Sequence, residues 1–106
     1  MATKGAVTIK PFDDLVEKHY REHPEEIDEF VTIIFEDYFK DNDLQALLSS
    51  LRIVSRAVGN ITQIAEQTGK SRRGLQKALS SNGNPEFGTV LAILQSLGYK
   101  LMPQKI

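Results

Sequence analysis

The chain of 106 residues contains no cysteine and no tryptophan. Without cysteine there is no disulfide framework, no thiolate nucleophile, and no thiolate ligand for zinc or an iron–sulfur cluster. No apolar run approaches the roughly 18 residues that a membrane-spanning helix requires, so neither a signal peptide nor a membrane segment is expected and the chain reads as cytoplasmic. Gly-x-Ser-x-Gly elbows and glycine-rich phosphate loops are also missing, so no enzyme and no cofactor are expected.

A net charge of -1 conceals a division along the chain. Residues 1–48 carry five Lys or Arg against twelve Asp or Glu, a net -7, whereas residues 49–106 carry eight Lys or Arg against only Glu66 and Glu86, a net +6. The second half suits a polyanion and the first repels it.

Helical spacing dominates from Phe12 onward. Phe12, Leu15, Val16, His19 and Tyr20 share a stripe that Pro24 ends near Arg21, with Asp13, Asp14 and Glu17 favouring the start through the helix dipole. Pro24 suits the first turn of a second helix carrying Ile27, Phe30, Val31, Ile34, Phe35 and Tyr38 to about Lys40. Ile33 and Phe39 lie off that stripe and are candidate partner contacts. Asp41 to Asp43 then break the chain before a third helix built on Leu44, Leu47, Leu48, Leu51, Val54 and Val58 and ended by Gly59.

A short fourth helix is predicted over Ile61 to Thr68, capped by Asn60 or Thr62, and a fifth begins after Ser71. The sixth starts near Glu86, buries Phe87, Val90, Leu91, Leu94 and Leu97, and stops at Gly98. Tyr99 to Met102 alternate like a short strand, which needs Val7 to Ile9 or a second subunit as its partner. The fold class expected is therefore all-α, with five or six helices and a short C-terminal strand. An acidic arm and helical extension (residues 1–43) and a basic helical region (residues 44–106) are expected to form one compact domain.

The most informative stretch is TQIAEQTGKSRRGLQKAL, residues 62–79. Ala65 allows two short helices to approach, Gly69 supplies the positive φ of the turn, and Leu75 returns the second helix to the core, which is the spacing of a helix-turn-helix. Such a unit lays its second helix in the major groove of DNA. Arg72, Arg73, Gln76 and Lys77 are then the base-reading candidates, since Arg and Lys suit guanine and Gln suits adenine. Thr62, Gln63, Ser71, Ser80, Ser81, Asn82 and Asn84 are candidates for phosphate oxygens. Gly74 lies inside the second helix at a cost of about 1 kcal/mol relative to alanine. It reads either as a close-approach position or as a glycine tolerated near a helix start.

His19 and His23 are four apart beside Glu22 and Glu26, but Pro24 interrupts the helix where a metal site needs constant spacing. They read as surface or half-buried histidines, and no metal site is expected. The acidic run Glu25, Glu26, Asp28 and Glu29 reads as a complement to the helix dipole.

Residues from about 10 to 102 resemble the antidote (antitoxin) proteins of bacterial addiction modules. These are HigA-like members of the lambda-repressor-like (Cro/XRE) helix-turn-helix superfamily. The resemblance rests on Thr-Gln-Ile-Ala, the Thr-Gly-x-Ser turn, Lys-Ala-Leu-Ser, Gly-Asn-Pro-x-Phe and the Leu-Gly close. The chain departs from the family pattern at Arg73, where an acidic residue is common, and at Gln76, where an aromatic one is common. The resemblance implies a homodimer that binds double-stranded operator DNA, represses its own operon, and neutralises a small basic toxin of the RelE/ParE group. Its recognition helix would run from Arg72 to Leu79. A phage-type Cro-like regulator without a toxin is the alternative reading.

Overall fold

The computed structural model describes residues 10–59, 61–80 and 84–106. Helix α1 (Lys10–Glu22) carries Asp13 in its first turn and Arg21 in its last, both favourable to the helix dipole. Its expected apolar stripe is only partly buried: Val16 and Tyr20 turn inward, while Phe12 and Leu15 stay exposed. A single 3-10 turn, Pro24–Glu26, separates it from α2 (Ile27–Asp41), so Pro24 opens this turn and not α2 itself. Helix α2 buries Ile27, Val31 and Ile34 and stops at Asn42, a left-handed residue with φ +56°.

Helix α3 (Leu44–Val58) begins with Asp43 as N-cap, its carboxylate accepting the Ala46 N–H at 3.1 Å, and ends at Gly59 with φ +81°. It buries Leu47, Leu48, Leu51 and Val54 as the spacing predicts, and Ile53 and Ser55 besides, because both α1 and α2 pack on it. Val58, expected on the buried stripe, is exposed.

Helices α4 (Ile61–Thr68), α5 (Arg72–Ala78) and α6 (Phe87–Ser96) complete the fold, with α4 packed against both others. One core cluster joins Ile34 of α2, Leu48 and Leu51 of α3, Ile64 of α4, Leu75 of α5, and Ile93 and Leu94 of α6. A smaller cluster joins Ile27, Val31 and Val54 with the rings of Tyr20 and Tyr99. Phe87 was expected in the core and is instead 68% exposed, its place on the inner face of α6 taken by Thr89 and Ile93.

The expected C-terminal strand does not form: residues 99–106 have neither helix nor strand, and the described residues contain no strand. Gly98 adopts φ +92°, and the Tyr99 N–H closes α6 by bonding the Leu94 carbonyl at 2.8 Å. A backbone group spent on a helix cap cannot serve a ladder. The Tyr99 ring is likewise drawn into the smaller core cluster, where its hydroxyl donates to Asp28. Val7 to Ile9, the proposed pairing partner, lie outside the described residues, as does the Asn60 cap. No helix among the described residues is long and apolar enough to cross a membrane.

Candidate nucleic-acid interface and the acidic face

Helices of seven and eight residues, such as α5 and α4, are too short to persist alone, so the turn between them carries much of their definition. The Thr68 hydroxyl bonds the Ile64 carbonyl at 2.9 Å, Gly69 adopts φ +72°, and the Lys70 N–H returns to the Ala65 carbonyl at 3.1 Å. Ser71 then opens α5 as its N-cap, accepting the Gly74 N–H at 2.9 Å. A Cβ on Gly74 would lie 3.2 Å from the Ser71 oxygen, so this glycine gives the cap its room. Ala65 and Leu75 are buried, as the spacing predicts.

Arg72, Arg73, Gln76 and Lys77 all lie on the exposed side of α5. They do not share one surface. Arg72 and Gln76 line an open groove of about 370 Å³ with Thr62, Gly59, Arg56 and Glu17. Lys77 borders a second depression with Lys70, Gly74, Asn84 and Glu86. Among the described residues no carboxylate pairs with Arg72, Arg73 or Lys77, so their charge faces outward.

Gln63 is exposed one position beyond Thr62. The Ser80 hydroxyl donates to the Lys77 carbonyl at 2.7 Å, so its hydrogen is committed to closing α5 and it can only accept from a ligand. Ser81 and Asn82 lie outside the described residues. Arg56, which no motif singles out, joins the groove of Arg72 and Gln76 and pairs with Glu17. Its signal was the Arg52/Arg56 pair four residues apart at the end of the helix that precedes the motif.

The acidic end is arranged differently. Asp13 pairs with Arg52 at 3.3 Å, and Glu17 pairs with Arg56 at 3.1 Å while also accepting from Arg21 of its own helix. Between α2 and α3 an aspartate-rimmed depression of about 290 Å³ is lined by Asp37, Asp41 and Asp43 over Ile34, Tyr38 and Leu47. Ile33 and Phe39 are exposed, Phe39 by 75%.

Pro24 interrupts the helix after the histidines, as expected. Its 3-10 turn brings the Glu26 carboxylate to 2.8 Å from His19, and ligand atoms of His23, Glu25 and Glu26 lie within 4.8 Å of one another. That hydrogen bond from His19 holds the Glu26 carboxyl below its ordinary range. All of these groups are partly open to solvent, and carboxylate–imidazole pairing accounts for their arrangement. Burial, then the charges of Glu26 and Glu29, push the nearby Tyr20 hydroxyl upward.

The fold defines a small all-helical protein with exposed cations on α5 and an aspartate-rimmed depression between α2 and α3. A family model described as "probable addiction module antidote protein" matches residues 8–105, and the chain belongs to that family. Membership gives it an antitoxin role and implies a toxin partner. An uncharacterized protein of Haemophilus influenzae is 35% identical over 78 residues, which cover 74% of this chain and 79% of that one. No solved structure matches the chain significantly.

Proposed function

We propose that this antidote is also an operator-binding repressor in which α4 and α5 act as a lambda-repressor-like helix-turn-helix. The observation that carries the reading is the outward face of α5, where Arg72, Arg73, Gln76 and Lys77 are exposed and no described carboxylate pairs with the three cations. A homodimer sets two such helices in successive major grooves, about 34 Å apart. Arg72 and Gln76 read bases from one groove of the protein, and Arg73 and Lys77 from the other side of the helix. Thr62, Gln63, Ser71 and Asn84 hold backbone phosphates.

The opposite end meets a basic toxin of the RelE/ParE type. Its supports are the -7 charge of residues 1–48, the exposed Ile33 and Phe39, and an aspartate-rimmed depression that suits a Lys or Arg side chain.

The test uses DNA from upstream of the chain's own coding region, with affinity followed as salt rises. Arg72→Ala combined with Arg73→Ala should weaken binding by at least about tenfold while helical circular dichroism is unchanged. Equal affinity for the wild type and this variant would remove α5 from the interface. Expression of the intact operon should yield a stoichiometric basic companion, and its absence would remove the toxin-binding half of the reading.

A further inference from the structure

We infer that the groove shared by α1, α3, α4 and α5 is a seat for one backbone phosphate of DNA, with the Glu17 carboxylate as a built-in counter-ion that this phosphate displaces from Arg56. The inference rests on the DNA-binding reading above and adds to it a residue from the acidic end.

The groove assembles groups from four helices that the sequence keeps far apart: Glu17, Arg56, Thr62, Arg72 and Gln76. Glu17 is a single carboxylate set against three guanidiniums, since it accepts from Arg21, pairs with Arg56 and shares the groove with Arg72. The local balance stays positive, and an anion entering the groove is attracted even with Glu17 in place.

The geometry also explains which pair yields. The Glu17 side chain is only 12% exposed, whereas that of Arg56 is 40% exposed and offers an outer edge to solvent. Arg56 turns its Nε toward Glu17 at 3.1 Å as an ion pair, and a guanidinium carries five N–H donors in all. A phosphate arriving from solvent therefore meets Arg56 and the Thr62 hydroxyl together, with the charge of Arg72 beside them on the base-reading side of the same groove. Arg72 and Gln76 stand on the same groove, so a duplex docked on α5 brings its backbone past Arg56.

In the free protein Glu17 neutralises Arg56 and lowers the attraction for any polyanion. On DNA the phosphate replaces it, and Arg21 remains to hold Glu17. Glu17 thus weakens binding to nucleic acid, and Arg56 contributes one phosphate contact.

The test measures the affinity of the full chain for a random-sequence duplex of about 30 base pairs, by fluorescence anisotropy across a salt series, because a backbone contact is independent of sequence. Arg56→Gln should weaken binding and reduce the slope of log affinity against log salt by about one. Arg56→Lys keeps the charge and should keep the slope, which separates lost contact from lost fold. Glu17→Gln should tighten binding about two- to fivefold at low salt, and that gain should vanish when Arg56→Gln is also present.

If Arg56→Gln leaves the slope unchanged while Arg72→Ala weakens binding, the seat is overturned and the DNA-binding reading stands. Indifference of operator binding to Arg72→Ala combined with Arg73→Ala as well would overturn the DNA-binding reading itself. Weaker binding by a folded Glu17→Gln would make Glu17 a strut for Arg56 and overturn its role as competitor. Saturable binding of inorganic phosphate, lost in Arg56→Gln with no change toward the duplex, would assign the groove to a free anion and overturn the DNA source.

Discussion

The two ends of the molecule handle charge in opposite ways. Across α1, carboxylates are spent on neighbours: Asp13 on Arg52, Glu17 on Arg21 and Arg56. Along α5 the cations have no such partners among the described residues and face solvent. A tally by sequence halves gives the sign of each end, but pairing decides how much of that charge a partner can reach. Arg52 and Arg56 belong to the basic half by position and to the acidic end by contact. The free positive surface is thereby concentrated on α5 and its flanks, where it is worth most for steering a polyanion.

The comparison breaks most sharply if the two ends are separate folding units. Leu51 is fully buried in the cluster that α2, α3, α4, α5 and α6 share. Leu51→Ala should therefore lower unfolding free energy by about 2–5 kcal/mol in a single urea transition. Circular dichroism and the fluorescence of Tyr20, Tyr38 and Tyr99 should report the same midpoint. Two separated transitions would divide the ends.

A smaller effect is expected at the basic end alone. Gly69→Ala places a side chain at φ +72° with no atom within 4 Å of its Cβ, so the cost is that of the left-handed backbone, about 1–2 kcal/mol. Amide exchange should accelerate in α4 and α5 more than in α1 and α2. Uniform acceleration would mean that the turn supports the whole core.

The smallest effect belongs to the tie between the tail and α2. Burial, then the hydrogen bond to Asp28, push the Tyr99 hydroxyl up to about 12 from an ordinary value near 10. Because the folded value is raised, its contribution is complete below about pH 10 and is lost as pH climbs toward 12. Tyr99→Phe should cost about 0.5–1 kcal/mol at neutral pH and flatten that alkaline loss. An alkaline limb that persists in Tyr99→Phe would assign it to another group.

Much of the fold was legible because its signals are local. Asp43 and Ser71 cap where their side chains allow, Gly59, Gly69 and Gly98 all take positive φ, and the bounds of α4 follow from Ile61 and Thr68. Local signals mislead where tertiary contacts decide. Period two at Tyr99 to Met102 suggested a strand, but the ring of Tyr99 and its N–H were claimed by the core and by α6. Phe87 and Phe12 have the spacing of buried residues and face solvent, since nothing in their own helices records where a neighbour ends. On α5 the candidate residues were legible because they lie within one helix. Arg56 was not, because its neighbours Glu17 and Arg72 come from helices on either side of it in the chain.

Asp13 and Glu17 meet Arg52 and Arg56 at matching intervals, four residues on each helix. Two charges against two charges at equal spacing behave as the teeth of a rack. Sliding α1 by about 6 Å, four residues at 1.5 Å each, would seat Glu17 on Arg52 and leave Arg56 bare. The two ion pairs thus fix α1 in a single register on α3, since any other seating leaves a guanidinium bare.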